Sequence, residues 1–151
     1  MTALWFDKAP ASLEPWQAAT LPVAGLTAGS ALVESAAVRA GDTVVLILST
    51  GGVAPFGPQI AKANGAEVIV CGQPDNGAWV RALGADHSVD AGADDWMEAV
   101  YRITGDRGAD IVLEVIGGAH LGQSVDLAAG GGHVCQIGAL DGFEFSSPKC
   151  P

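Results

Sequence analysis

An α/β domain built on a doubly wound, Rossmann-type, mostly parallel sheet of about five strands is the fold class this sequence predicts. Two observations carry the prediction. Short apolar runs rich in β-branched residues, such as Val44–Leu48 and Asp110–Ile116, alternate with segments of helical periodicity. Glycines, 21 in all, lie between these segments without a fixed period, where tight turns would close each unit. A chain of 151 residues suits one domain, and with only 16% charged residues it has enough apolar material for a core.

The elements follow in order. Residues 1–20 contain Pro10 and Pro15 among Leu4, Trp5, Phe6, Leu13 and Trp16, and read as a lead-in that packs on the domain. Residues 21–142 form the domain and 143–151 a C-terminal tail. Leu32, Val33 and Ala36 recur at helical spacing and predict a helix over Thr27–Val38. After the Gly41-Asp42 turn, Val44–Leu48 predicts a central strand buried on both faces. The turn Ser49-Thr50-Gly51-Gly52 leads into a helix that runs to about Asn64, where Gly65 stops it. Glu67–Cys71 is the second strand, Asn76–Leu83 a helix stopped by Gly84, and His87–Val89 a short third strand. Asp94–Thr104 predicts a helix with an acidic first turn and an apolar stripe of Trp96, Val100 and Ile103. Asp110–Ile116, a helix over Leu121–Ala128 and a strand over His133–Ile137 complete the series. Right-handed βαβ connections give the strand order 3-2-1-4-5. A six-stranded dinucleotide fold would cover the fifth strand; left at the edge, that strand predicts a homodimer formed by edge pairing or by a swapped C-terminal segment.

Charge and cysteine usage narrow the function. A formal net charge of −10 argues against nucleic acid and anionic membrane as partners. Cys71, Cys135 and Cys150 are widely spaced, and no C-x-x-C or Cys/His cluster points to a disulfide framework or a zinc site. His87, His120 and His133 lie far apart without metal-ligand spacing, so surface or packing roles are expected for them. Asp94, Asp95 and Glu98 read as the solvated first turn of a helix rather than acid–base machinery. With no apolar run of transmembrane length and no signal-peptide start, a cytoplasmic chain with reduced thiols is expected.

The segment with chemical content is Val44–Asn64. Its turn, Ser49-Thr50-Gly51-Gly52-Val53-Ala54, approximates the phosphate-binding pattern G-x-G-x-x-G/A with Ser49 at the first glycine. Gly51 would let main-chain amides approach a pyrophosphate, Ala54 would allow close helix–strand packing, and the helix N-terminus would add partial positive charge. A plain glycine turn is the alternative reading of the same residues.

The surrounding text resembles the medium-chain dehydrogenase/reductase superfamily, above all its zinc-type alcohol dehydrogenase-like and quinone oxidoreductase-like members. The resemblance rests on Leu21-Pro22-Val23-Ala24-Gly25-Leu26-Thr27-Ala28, Ala40-Gly41-Asp42-Thr43-Val44-Val45, Thr50-Gly51-Gly52-Val53-Ala54 and Gln59-Ile60-Ala61-Lys62-Ala63. It continues through Ala82-Leu83-Gly84-Ala85-Asp86-His87, Leu113-Glu114-Val115-Ile116-Gly117-Gly118 and Gln136-Ile137-Gly138. It implies a domain that binds NAD or NADP. The cofactor-binding residues it implies are Thr27, Thr50, Gly51, Gly52, Val53, Ile116, Gly117, Ile137 and Gly138. Thr27 has a second reading as a helix N-cap, and the strand-end glycines as turns.

Three departures bear on function. Pro55 and Pro58 fall where the resemblance places apolar helix residues; a helix starting late, near Phe56, would accommodate both but displace the anion site. No acid ends the second strand, where a ribose-binding Asp or Glu is expected; Cys71-Gly72-Gln73-Pro74 stands there, Asp75 reads as a turn residue, and Arg81 is the one nearby cation. The chain also begins just before the cofactor domain, so it reads as truncated at both ends and without a catalytic domain. No catalytic residue and no metal ligand is assigned. The expected function is a dinucleotide-binding domain of an oxidoreductase that is not catalytic alone. A non-catalytic Rossmann remnant acting as a small binding protein, or a subunit completed in trans by a separate catalytic domain, remain as alternatives.

Overall fold

The computed structural model describes residues 8–47 and 50–148. Leu48 and Ser49 of the predicted strand and turn lie outside these residues, as do Leu4, Trp5, Phe6 and Cys150. The strands are β1 (Thr43–Ile47), β2 (Glu67–Gly72), β3 (His87–Asp90), β4 (Ala109–Glu114) and β5 (Ala128–Gln136). They form one sheet in the order β3-β2-β1-β4-β5, as the sequence predicts, and every pair is parallel. The helices are α1 (Pro15–Ala18), α2 (Leu26–Gly29), α3 (Gly57–Ala63), α4 (Gly77–Ala82), α5 (Trp96–Thr104) and α6 (Ala119–Leu127).

The alternation of side chains along each strand builds two cores from one sheet. Val44, Leu46, Val68, Val70, Ile111 and Leu113 face Leu32, Ala61 and Val80 on one side. Val45, Ile47, Ile69, Cys71 and Val112 face Trp96, Val100 and Leu127 on the other. Each fully buried aliphatic side chain contributes roughly 1.5–3 kcal/mol, which is why β1 tolerates no polar residue between Val44 and Ile47. Cys71 shares this environment, and burial pushes its thiol up to about 12. Among the described residues no helix is long and apolar enough to cross a membrane.

Several boundaries differ from the sequence reading. The helix expected over Thr27–Val38 begins at Leu21, with Pro22 in its first turn, and runs as π-type turns (Leu21–Gly25), α2, and π-type turns again (Ser30–Ser35). It ends before Val38 because Ala37 turns to a φ of 52°. Helix α5 starts at Trp96, not Asp94; Asp95 is its N-cap residue and Asp94 lies in the preceding turn. Strand β5 starts at Ala128, well before His133, and is interrupted where Ala109 pairs with Ala128 but Ile111 pairs with His133. Glycine makes that irregularity feasible: a Cβ on Gly132 would lie 2.8 Å from the Ala109 carbonyl oxygen. The lead-in does not bury Trp16, which is 71% exposed.

Two acids brace the frame. Asp86 accepts from Lys62 Nζ at 2.6 Å and from the Val68 amide at 2.9 Å, tying the start of β3 to β2 and α3. Asp110 accepts from Arg107 Nη2 at 2.9 Å and from the Thr43 amide at 2.8 Å, tying β4 to β1. Both carboxyls are held below the ordinary range. For Asp86, burial pushes upward, but the Lys62 hydrogen bond and the Val68 amide outweigh it. For Asp110 the Arg107 hydrogen bond leads. The C-terminal segment crosses α6 at Gly122 and is fastened by the Ser147 hydroxyl donating to Asp126 at 2.7 Å.

Two outcomes follow. A carboxyl depressed in the folded state adds stability that is complete above its unfolded value, about 3.9, and is lost as pH falls through the lower folded value. The urea midpoint should therefore fall below about pH 4, and fall less in an Asp86→Asn/Asp110→Asn double variant; equal acid sensitivity would contradict this assignment. For Gly122→Ala, helix propensity favours alanine by up to about 1 kcal/mol. The new Cβ, however, would overlap the Ser146 carbonyl oxygen. The variant should melt lower than the parent and lose residues 143–148 faster to protease; a higher Tm would refute the packing argument.

Candidate functional site

The strand order places β1 between β2 and β4, so the chain leaves β1 toward one face of the sheet and reaches β4 from the other. A crevice opens at the carboxyl edge of such a switch point. The turn that follows β1 stands in it. Thr50, Gly51 and Gly52 are exposed, and no described residue accepts a hydrogen bond from the amides of Gly51, Gly52 or Val53. Gly52 leans on the first helical segment, where a Cβ would approach the Ala24 Cβ to 3.2 Å.

The helix expected directly after this turn begins only at Gly57, with Phe56 as its N-cap residue. Pro55 and Pro58 explain the delay. Pro58 sits at the second helical position, where its missing N–H costs nothing, and Pro55 stays in the turn. The amides of Phe56 and Gly57 both donate to the Val53 carbonyl at 3.0 Å, so they are spent inside the chain. Any phosphate at this corner therefore meets turn amides, not a helix terminus. Ala54 is buried in the core as expected, and Gly57 is buried against β1, where an added Cβ would lie 3.5 Å from Leu46 Cδ1.

Two adjoining depressions flank the turn. One is an open cleft of about 220 Å3 lined by Gly51, Gly52, Val53, Ala54, Val115, Ile137, Gly138 and Leu140. The other is a narrow groove lined by Thr50, Ala54, Val70, Gly72, Gln73, Asn76, Trp79, Val80 and Ser88. Ala54 belongs to both. The structure thus brings five of the nine expected residues, Gly51, Gly52, Val53, Ile137 and Gly138, into one cleft, and sets Thr50 in the groove beside it. The other three lie elsewhere. Thr27 borders a separate depression shared with Ile137. Its hydroxyl donates to the Val23 carbonyl at 2.6 Å from inside the helix, which rules out the N-cap alternative. Ile116 packs toward the core beneath α5. Gly117 is buried, at a φ of +84°, where a Cβ would meet the Gly142 carbonyl oxygen at 2.5 Å.

The residue that sequence reasoning missed is Glu114. It ends β4 with zero exposure, yet carries a carboxylate. Both its oxygens accept from the Gly117 amide, at 2.9 and 2.8 Å, and Oε1 also accepts from the Ile116 amide. Around this knot the two strand ends are stitched together. The Ile137 amide donates to the Glu114 carbonyl at 2.9 Å, the Asp141 amide to Ile116 at 2.9 Å, and the Gly118 amide to Gly142 at 2.9 Å. Val115, Ile137, Gly138 and Leu140 thereby form one continuous wall of the cleft. A lone acid ending an apolar run was the available sequence signal.

Gln73 is exposed at the end of β2, followed by a short 3-10 turn, Pro74–Asn76, that carries Asp75. His87 lies 3.3 Å from Glu67, His133 is exposed near the opposite edge of the sheet, and His120 sits on α6. Among the described residues no group of three His, Cys, Asp or Glu side chains comes together as a metal ion would require. Asp95 is engaged with Arg102 at 3.4 Å, as befits a solvated helix start.

Comparison with known proteins gives the family. The family described as zinc-binding dehydrogenase matches residues 52–149. A solved structure from Sinorhizobium meliloti 1021, assigned as an alcohol dehydrogenase, is 55% identical with a TM-score of 0.86, covering 95% of this chain and 42% of that one. A quinone oxidoreductase from Pseudomonas syringae pv. tomato DC3000 is 30% identical with a TM-score of 0.84, covering 93% and 43%. The phthioceranic/hydroxyphthioceranic acid synthase of Mycobacterium tuberculosis H37Rv is 37% identical over 133 residues, 87% of this chain but only 6% of that protein. The chain therefore spans less than half of each relative. With a matching family profile over most of its length, a parallel 3-2-1-4-5 sheet and a glycine turn at the switch point, the chain belongs to the zinc-binding dehydrogenase family of the medium-chain dehydrogenase/reductase superfamily.

Proposed function

We propose that this chain is the nicotinamide-dinucleotide-binding domain of an alcohol dehydrogenase/quinone oxidoreductase-like oxidoreductase, and that it does not catalyse hydride transfer alone. One observation carries the reading: the Gly51–Val53 amides, free of described acceptors, face a crevice between β1 and β4. The pyrophosphate lies over Gly51 and Gly52. The adenosine half follows Thr50 into the groove of Gln73, Asn76 and Trp79. The nicotinamide half follows Val53 toward Ile137 and Gly138, with Thr27 on the far side of Ile137. Ile116 and Gly117 act beneath the surface, holding the wall that Glu114 ties.

When bound, the dinucleotide supplies the hydride chemistry, and the protein binds and orients it. The cleft has open solvent where a substrate surface would complete it. We place that surface on a separate domain, as part of the same protein or in trans, and the chain in the cytoplasm. A second reading, a Rossmann unit that no longer binds dinucleotide, draws on the displaced start of α3. Turn amides without a helix terminus hold a phosphate less firmly than both together.

One titration separates the two readings. Intrinsic fluorescence and thermal shift with NADPH and NADH should register saturable binding of at least one coenzyme, with a Kd at or above the micromolar range. Silence from both, in a protein that melts cooperatively, would favour the second reading. In the same cuvette, coenzyme absorbance should stay constant when a quinone or an enone is added; steady consumption would refute the need for a second domain.

We also propose a homodimer paired through β5, which has a strand neighbour on only one side among the described residues. Light scattering should report twice the chain mass, and an edge-blocking proline at Val134 should reduce it to one; a parent monomer at high concentration would remove the proposal.

A further inference from the structure

Strand β3 forms the other edge of the sheet. It pairs with β2 on one side, and among the described residues no strand lies on its other side. Asp90 is in register with Gly72, and the Gly72 carbonyl accepts from the Ala91 amide at 2.9 Å. Bonding alternates along a parallel strand, so Val89 and Ala91 turn their amides to β2, while Ser88 and Asp90 turn theirs to the outer edge. Unpaired donors two residues apart are a template for one more strand. A helix has its main-chain groups spent internally and cannot use them; an extended segment can.

The side chains beside this edge restrict what can join it. Helix α5 carries the chain from the carboxyl end of β3 back to the start of β4, and leaves an open groove of about 510 Å3 along β3. Val89, Trp96, Ala99 and Ile103 give the groove an apolar floor, and all four are buried or half-buried. Asp90 and Asp95 line the end where β3 turns toward α5, and Asp94 is exposed in that turn. Glu98 is exposed one helical turn from both Asp95 and Arg102, on the same face of α5. Among the described residues Arg102 is the one cation lining the groove, and it is engaged with Asp95 at 3.4 Å. An apolar floor thus lies inside a rim of negative charge, beside main-chain donors that no strand takes up.

We propose that the groove between β3 and α5 docks an extended segment of a partner protein, which adds to the sheet as a strand beside β3. Its alternate side chains on the α5 side are apolar and rest on Val89, Ala99 and Ile103. Lysine or arginine flanks them, where the segment passes Asp90, Asp94 and Asp95. A second copy of this chain is a poor occupant, because its net charge of −10 meets the same acidic rim.

The test uses the full chain and fluorescein-labelled peptides in which valine alternates with threonine between flanking lysines. Fluorescence anisotropy should show saturable binding. Glutamate flanks, or N-methylation of the peptide's main-chain amides, should weaken it at least about tenfold, the yield of one charge-assisted contact or more. Hydrogen exchange should slow at the Ser88 and Asp90 amides when the lysine-flanked peptide is added. Ala99→Phe should fill the floor and abolish binding. Asp95→Lys/Glu98→Lys should make the glutamate-flanked peptide the tighter of the two. Both acids are exposed, so this double variant should still melt cooperatively. Absence of binding, equal affinity of the parent for the two flanks, indifference to N-methylation, or unchanged exchange at Ser88 and Asp90 would overturn the proposal. So would a smaller solution mass in Ala99→Phe than in the parent, which would give the groove to a second copy.

Discussion

The structure depends on the placement of β1 between β2 and β4. A strand with parallel neighbours on both sides has both faces covered by crossover helices, so its side chains must be apolar on each face, and Val44 to Ile47 are completely buried. The same placement makes the chain depart on one side of the sheet and return on the other. The gap at the carboxyl edge follows from connectivity and exists before any side chain is chosen. The choice of side chains decides only what the gap is lined with. Here that is glycine on the turn, aliphatic residues on one flank and carboxamides on the other.

The two flanks are built by opposite means. On the β4–β5 side the main chain carries the construction, because Glu114 gathers neighbouring amides and the strand-end loops exchange hydrogen bonds at close quarters. A Cβ at Gly138 would overlap the Val115 carbonyl oxygen, so this wall is backbone lying on backbone. On the β2–β3 side the contacts are side chains on a short turn, and substitution can change their chemistry without moving the strands.

Strand positions and order were legible because the apolar runs are short, β-branched and separated by glycine. Element starts were less so. Leu21-Pro22 reads locally as a loop, yet proline is suited to a first helical turn. The beginning of β5 was hidden by Gly130-Gly131-Gly132, which reads as a break and acts as a register irregularity. That Gly51, Gly52, Val53, Ile137 and Gly138 would share one cleft was legible because strand ends and glycine turns leave a local signature. Glu114 escaped because nothing in a one-dimensional pattern says which amides a buried carboxylate will gather.

Cys71 gives the molecule a built-in clock. Its sulfur is fully buried in the central sheet, and burial raises the thiol, so an electrophile in solution does not reach it while β2 is packed. Alkylation at that atom waits for the sheet to part, and its rate reports the open population, or each opening where the reagent outpaces reclosing. Half-buried Cys135, on the outer strand, is the more accessible of the two. The pair would distinguish loosening at the rim from failure at the centre, without any label having been introduced.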